Sequence, residues 1–483
     1  MLYILILLPL LLGVSCTFVK ESHTRRMVPV MGAVQAVITV LAVVAALFFR
    51  GSESAVWHMS ESLTFSLHLD LFGAVVCVLV TVCWLFSVPF SSVYMPHSGE
   101  QMRYYAFLFL TEAALLGTAL AADFITLYLF FELTTLLSAP LVLHERNRNA
   151  LVGAGKYLYY SIGGAFVALF GLVVLYSGGV ELRFAAGGHA AHMTPLMFIG
   201  VFCVILGFSA KAGLYPLHNW LPTAHPAAPA PASALLSGLI TKAGVVAVIR
   251  LLFFTVDASA LRGTWVQTVC ITLALITVFM GSLMGCFEKV LKKRLAYSSI
   301  SQISYVLLGL FLLSGDGLTG SVLQMLFHAA AKVALFQCAG AVILLTGRTR
   351  TDELRGLGRK MPLVFISFTL ASLSLVGIPP FGGFWSKWYL ATAALSALPG
   401  FLSYAVPVVL LLSALLTAGY LFAPVIAAFF PGEKPMEEVH LHGDANAPAL
   451  LISPLALSFL TGLLGFFPDG LVRLAQAIAG TVL

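Results

Sequence analysis

Lys211, Lys242, Lys332 and Lys387 each lie inside a run of residues apolar enough to cross a bilayer, and Glu132 lies inside another. A charge at the centre of a bilayer costs at least about 2.5–3.5 kcal/mol, so such groups face a wet interior or one another and mark a path for ions or protons. Amines and carboxylates exchange protons without a cofactor, and His328 adds a third kind of carrier. It stands four residues before Lys332, on the same face of a helix and about one turn away. That spacing lets the two share a proton directly or through one water. Imidazole, with an ordinary pKa of about 6.5, both accepts and donates near neutrality. The chemistry these residues imply is proton conduction.

The rest of the 483-residue chain is built to hold them in lipid. Sixty per cent of residues are hydrophobic, 10% are charged and the mean hydropathy is +0.99. A soluble domain of this size cannot carry that composition on its surface. Runs of roughly 20 apolar residues, the length a spanning helix needs, recur about fourteen times. They fall near 2–19, 27–49, 66–90, 102–121, 123–143, 156–178, 195–214, 229–256, 264–287, 295–315, 319–346, 361–393, 402–430 and 447–467. The fold expected is an all-α polytopic membrane protein.

Basic residues set the expected orientation, because Lys and Arg concentrate in cytoplasmic loops. They cluster after the odd-numbered runs, at Arg25 and Arg26, Arg146 and Arg148, Lys292 to Arg294, Arg348 and Arg350, and Arg359 and Lys360. Arg50, Arg183, Arg262 and Arg473 fall on the opposite side. Both termini are therefore expected outside, in a multi-pass protein of a prokaryotic inner membrane. The first run lacks a basic n-region, and Gly13 stands where a lipobox would need a large aliphatic residue, so it reads as an uncleaved first helix. The net charge of +6 and pI of 8.9 reflect loop anchoring. No basic-aromatic patch suggests nucleic acid. The seven cysteines occur without a CxxC pair or a histidine at metal spacing, so no metal, cluster or other cofactor is expected in this chain.

Two segments interrupt the helical pattern, GLYPLHNWLPTAHPAAPAPAS at 213–233 and VGIPPFGGFWSK at 376–387. Proline removes a helix hydrogen bond and glycine lowers helix propensity, so each should be a helix broken within or near the membrane. Paired interruptions in two halves of a transporter point to its transport site and suggest inverted repeats. Lys211 precedes the first break and Lys387 follows the second.

The runs FFELTTLLSAPLV, KAGLYPLHNWLPTAHPAAPAPASALLSGLITKAG, KKRLAYSSISQISY, FHAAAKVALF and GIPPFGGFWSK resemble the antiporter-like subunits of respiratory complex I, Mrp-type Na⁺/H⁺ antiporters and membrane-bound hydrogenases. The similarity spans about residues 100–430. It implies fourteen helices, with helices 4–8 and 9–13 forming two inverted five-helix repeats and helices 7 and 12 broken. On that basis residues 1–100 form an N-terminal three-helix segment, 101–256 and 257–430 the two repeats, and 431–483 an acidic loop, helix 14 and a short tail. The resemblance assigns Glu132, Lys211, Lys242, the His328/Lys332 pair and Lys387 to proton transfer. Val290 stands where an aspartate is common, so Lys292, Lys293 and Arg294 are open alternatives for the guard of the cytoplasmic entrance.

The expected route runs from the cytoplasm to Lys242, through His328 and Lys332, and outward by Lys387, with Lys211 a relay and Glu132 its switch. Burial disfavours a charged amine and a neighbouring carboxylate favours it, so a Lys211–Glu132 pair would hold a proton and release it on opening. His218, Lys156, Arg250, Lys292 and Lys293 are accessory candidates, although Lys156 also suits an interfacial anchor and Arg250 a fixed structural charge. His225 flanks the first break. Glu112 and Asp123 could tune Glu132, while Asp123 also suits a helix cap. Moving a charge outward costs about 2.3 kcal/mol per 100 mV, and no phosphate-binding glycine loop supplies that energy. The expectation is a subunit among other membrane subunits, further antiporter-like ones included, driven by a redox partner or an opposing cation gradient. Protons are the expected cargo; Na⁺ needs oxygen ligands that lysines do not provide. The rival readings are a self-sufficient solute or cation transporter and a non-transporting scaffold. The acidic stretch 431–444 reads as a solvated connector.

Overall fold

The computed structural model describes residues 1–58, 64–189, 193–430 and 441–483. The chain is an all-α membrane protein, and among the described residues ten helices are long and apolar enough to cross a bilayer. The order is α1 (Leu2–Phe18), α2 (Thr24–Phe48), a hairpin of β1 (Glu53–His58) and β2 (Thr64–His68), α3 (Leu71–Tyr94), α4 (Gln101–Leu120), α5 (Phe124–Val142) and α6 (Arg148–Ser177). Then follow α7 (Pro195–Ala212), α8 (Leu221–Ala227), α9 (Ala230–Leu235), α10 (Lys242–Phe254), α11 (Ala258–Leu261), α12 (Trp265–Phe287), α13 (Leu291–Phe311) and α14 (Gly315–Thr346). The remainder is α15 (Leu357–Lys360), α16 (Pro362–Val376), α17 (Gly382–Ala397), α18 (Gly400–Phe429), α19 (Pro448–Phe466) and α20 (Asp469–Val482).

Three local features depart from the expected runs. The third run starts late, because 64–68 alternates as TFSLH and pairs antiparallel with β1, Glu53 opposite His68. Residues expected as a short tail form α20, whose Ala475, Ile478, Ala479 and Val482 recur at helical spacing and are buried. Between α9 and α10 the backbone widens into a π-helical turn, Leu236–Ile240, with Thr241 N donating to Leu236 O at 3.2 Å. Of the acidic connector expected at 431–444, residues 431–440 lie outside the described residues.

Helices 10, 13 and 14 form the buried centre. Every residue of α10 is buried, and α13 and α14 are buried over most of their length. Small residues let the surrounding helices close on them. On α6, Gly164 faces Gly207 of α7 so tightly that an added Cβ at Gly207 would sit 2.4 Å from Gly164 O. Without a hydrophobic driving force between helices in lipid, such close backbone packing supplies much of the association. Since α7 carries Lys211, this contact sets the depth of the first lysine. Overpacking a tight core costs about 1–3 kcal/mol, so Gly207→Val should lower the thermal unfolding midpoint of the detergent-purified chain, whereas the same change at Gly155, which has nothing within 4 Å, should not.

Candidate functional site

Both interrupted segments end their first helix in the same way. α7 stops at Gly213 (φ +86°, ψ 31°) and α16 at Gly377 (φ +85°, ψ 40°), left-handed positions that favour glycine. Each is followed by a cis prolyl bond, Tyr215–Pro216 and Pro379–Pro380. The chain then re-enters helix as α8 and α17. These ends expose carbonyls that a continuous helix would consume.

One of the four lysines uses such oxygens, and all four donate to backbone carbonyls. Lys387, from α17, donates to Leu375 O (2.5 Å) and Val376 O (3.0 Å), the last carbonyls of α16, where the helix dipole favours a cation. Its ammonium also lies 5.3 Å from the Tyr305 ring centroid. Lys242 donates to Ser237 O at 2.8 Å, a carbonyl of the π-helical turn. Lys332 donates to Leu295 O of α13 at 3.0 Å. Lys211 donates to Phe131 O (3.0 Å) and Thr135 Oγ1 (2.7 Å) of α5, 4.1 Å from the centroid of the Phe131 ring. Lys211 and Lys332 are 0% exposed and Lys242 is 3% exposed.

His328 has a different partner from the one its sequence neighbour suggests. The Lys242 ammonium, at the start of α10, donates to His328 Nδ1 of α14 at 2.7 Å, while Lys332 turns to α13. His328 still lies within electrostatic reach of Lys242, Lys332 and Lys387. The link is therefore between helices.

Glu132 is half-buried beside Tyr128 and within electrostatic reach of Lys211, but no ion pair joins them. The expected closed pair is open in this structure, its amine held by Thr135 instead. Glu112 is engaged elsewhere: it accepts from Gln35 Nε2 at 2.6 Å among α2, α3 and α4. Asp123 is the cap of α5, accepting from Thr126 N at 2.7 Å, and from Ser66 Oγ at 2.8 Å.

The accessory candidates separate. Lys292 turns inward at the start of α13, 7% exposed, and donates to Pro226 O at 3.1 Å and to Ala228 O. It lines a polar cavity of about 240 Å³ with Glu145, Asn147, Asn149 and Thr349. Lys293 instead pairs with Glu288 at 2.7 Å near the surface, and Arg294 is tied to Glu288 O (2.8 Å) and Tyr420 O (3.1 Å). Lys156 reaches Thr223 Oγ1 at 3.4 Å, and His218 stacks on Tyr215 at the break. Arg250 makes a bidentate pair with Asp70 (2.5 and 2.9 Å) amid the rings of Phe72, Phe184 and Phe254. Asp70 also caps α3 through Gly73 N at 2.7 Å. That is a strut with fixed partners.

His225 carries more than its sequence position suggested. It is fully buried against Trp220 and Phe336, within reach of the charges of Lys292, Lys332 and Lys242, and neither ring nitrogen has a partner among the described residues. Its only signal in sequence was the proline run beside it. A second group, Gln302, Gln324 and Ser386, was not singled out at all. Ser386 Oγ donates to Gln324 Oε1 at 2.5 Å, and Gln324 Nε2 donates to Gln302 Oε1 at 2.8 Å, one residue along α17 from Lys387. Gln324 precedes His328 by four residues, so the helical face continues Gln324, His328, Lys332.

Breaking a buried ion pair by removing one member costs about 3–5 kcal/mol. Arg250→Met should accordingly lower the thermal unfolding midpoint of the purified chain strongly. Adding Asp70→Asn to it should recover part of that loss, since the unpaired carboxylate is gone.

Comparison with known proteins identifies the family. Residues 121–413 match the family described as NADH:quinone oxidoreductase/Mrp antiporter, transmembrane. The NADH-quinone oxidoreductase subunit N of Desulforudis audaxviator is 33% identical over 387 residues, 77% of this chain and 76% of that one. A Na⁺/H⁺ antiporter subunit of Alkalihalophilus pseudofirmus is 29% identical over 86% of this chain and 83% of its own. Among solved structures, a chain of the Mrp complex from Dietzia sp. DQ12-45-1b aligns with TM-score 0.86 and 24% identity, covering 100% of this chain and 97% of that chain. A chain of an archaeal membrane-bound sulfane sulfur reductase aligns with TM-score 0.84 and 25% identity, covering 100% and 99%. With a family match over more than half its length and a relative covering three quarters of both chains, this protein belongs to the transmembrane family shared by NADH:quinone oxidoreductases and Mrp antiporters.

Proposed function

We propose that this chain is a proton-translocating, antiporter-like subunit of a multi-subunit membrane complex, with Lys242–His328 as its central transfer step. The observation that carries this reading is the 2.7 Å contact between Lys242 Nζ and His328 Nδ1, two buried groups on different helices that can exchange a proton. The inlet is the polar cavity at Glu145, Asn147 and Asn149, closed by Lys292. From Lys292 the charge passes by His225 to Lys332 and Lys242, crosses to His328, and proceeds past Gln324, Gln302 and Ser386 to Lys387. Lys211 and Glu132 form a separate station on the α5–α7 side, where closing their pair would change the field along the line.

Several polar atoms support this course. His328 Nε2, both nitrogens of His225 and Gln302 Nε2 are buried without partners among the described residues. An unsatisfied buried donor costs roughly 1–3 kcal/mol, an expense kept where protons and water pass. Like charges so near one another also oppose simultaneous protonation, so a proton arriving at one lysine promotes release from the next.

The matching geometry at Gly213 and Gly377, each with its broken helix and neighbouring lysine, supports two inverted five-helix repeats within a fourteen-helix membrane domain. The clustering of basic residues supports an orientation with both termini outside, in a prokaryotic inner membrane. The energy comes from partner subunits, by redox chemistry or a counter-moving cation, and protons are the cargo.

His328→Ala and Lys242→Ala should each reduce proton uptake by vesicles holding the assembled complex by about 100-fold or more, with unchanged subunit composition on native gels. Lys156→Ala should leave uptake within about twofold of the parent, being off the relay. Uptake at parental rates in His328→Ala would end the relay reading and favour a scaffold.

A further inference from the structure

An open apolar groove of about 440 Å³ runs along the outside of the bundle between α2, α3, α14, α19 and α20. Its walls include Leu47, Val78, Phe327, Leu464 and Leu474, and its mouth holds one charged residue, Arg50. The size lies in the range of ligand-binding clefts, roughly 300–1,000 Å³. From its geometry we infer that the groove binds one acyl chain of an anionic phospholipid, whose phosphate rests on Arg50.

Depth, charge and wall composition converge on that occupant. Arg50 follows the end of α2, two residues past Phe48, whereas the inner lining reaches Cys83, twelve residues into α3 from Leu71. At 1.5 Å per residue that is roughly 18 Å, a little more than half of the roughly 30 Å hydrocarbon core. The groove therefore spans one leaflet, with its cation at headgroup depth. Arg50 is exposed and has no ion pair or side-chain hydrogen bond among the described residues, in contrast to Arg183 and Arg250, which are paired. A transmembrane helix of a partner would bring no phosphate to this guanidinium.

The inner end lies one side chain from the relay. Leu79 lines both the groove and a void of about 10 Å³ beside Lys242. A hydrocarbon chain seated there keeps water off Lys242 from the lipid side, so that its exchange is with His328.

The test places a benzophenone amino acid at Val78 in the full chain, in native membranes, with illumination and intact-mass analysis. The expected product is the chain plus one phospholipid, with anionic over zwitterionic lipid enriched about fivefold relative to the bulk membrane, the factor for one basic side chain at the surface. Arg50→Gln should return that ratio to the bulk value while lipid adducts still form. The same probe at Val37, on the exposed face of α2, should report the bulk ratio in both backgrounds. An adduct at Val78 with another protein subunit, or a lipid adduct there at the bulk ratio with Arg50 intact, would overturn the assignment.

Discussion

A buried ammonium must have its N–H groups satisfied, and that requirement shapes this protein more than any other. In a regular helix each carbonyl is already bonded four residues on and has one lone pair to spare. For two of the lysines the chain supplies acceptors by departing from regularity: a π-helical turn gives Ser237 O to Lys242, and the end of α16 gives Leu375 O and Val376 O to Lys387. Lys211 and Lys332 share Phe131 O and Leu295 O with the hydroxyls of Thr135 and Ser299. At Lys242 and Lys387 the irregular backbone and the lysine are thus one design. Removing the amine leaves an irregular helix without its partner, and straightening the helix leaves the amine without its acceptor.

Partner chemistry distinguishes a relay from a strut. Arg250 has a carboxylate at both terminal nitrogens and aromatic rings around it. Lys242 has only a carbonyl and an imidazole, neither of which carries a full negative charge. Its proton is held by dipoles and exchangeable groups, which is the condition for passing it on. Lys211 sits between these cases, with a carboxylate nearby and not in contact.

Much of the fold was legible in the residues. The apolar runs found α1, α5 and α19 to within a residue or two, because a length set by the bilayer leaves a strong signal. The end of β2 was absorbed into the third run, 66–90, because TFSLH continues apolar residues into α3, and period 2 over five residues is a weak pattern. The π-helical turn could not be read either, since SALLSGLIT is equally good helix and the extra residue is fixed by the Lys242 contact. At the site the ionisable residues were all visible as charges in apolar surroundings. Their pairing was not. The i,i+4 rule joined His328 to Lys332, whereas packing of the π-helical turn, just before Lys242, on α14 joins it to Lys242.

Sequence by itself determined that the chain lives in lipid, where its helices run, that two of them break, and which side chains carry charge at depth, since each follows from composition and local propensity. Tertiary structure decided which carbonyl holds each amine, that Lys292 and not Lys293 faces the interior, that His225 stands among three lysines, and that Glu132 and Lys211 stand apart. Those outcomes depend on how helices rotate and approach one another, which is set by close contacts such as Gly164 on Gly207 between residues distant along the chain.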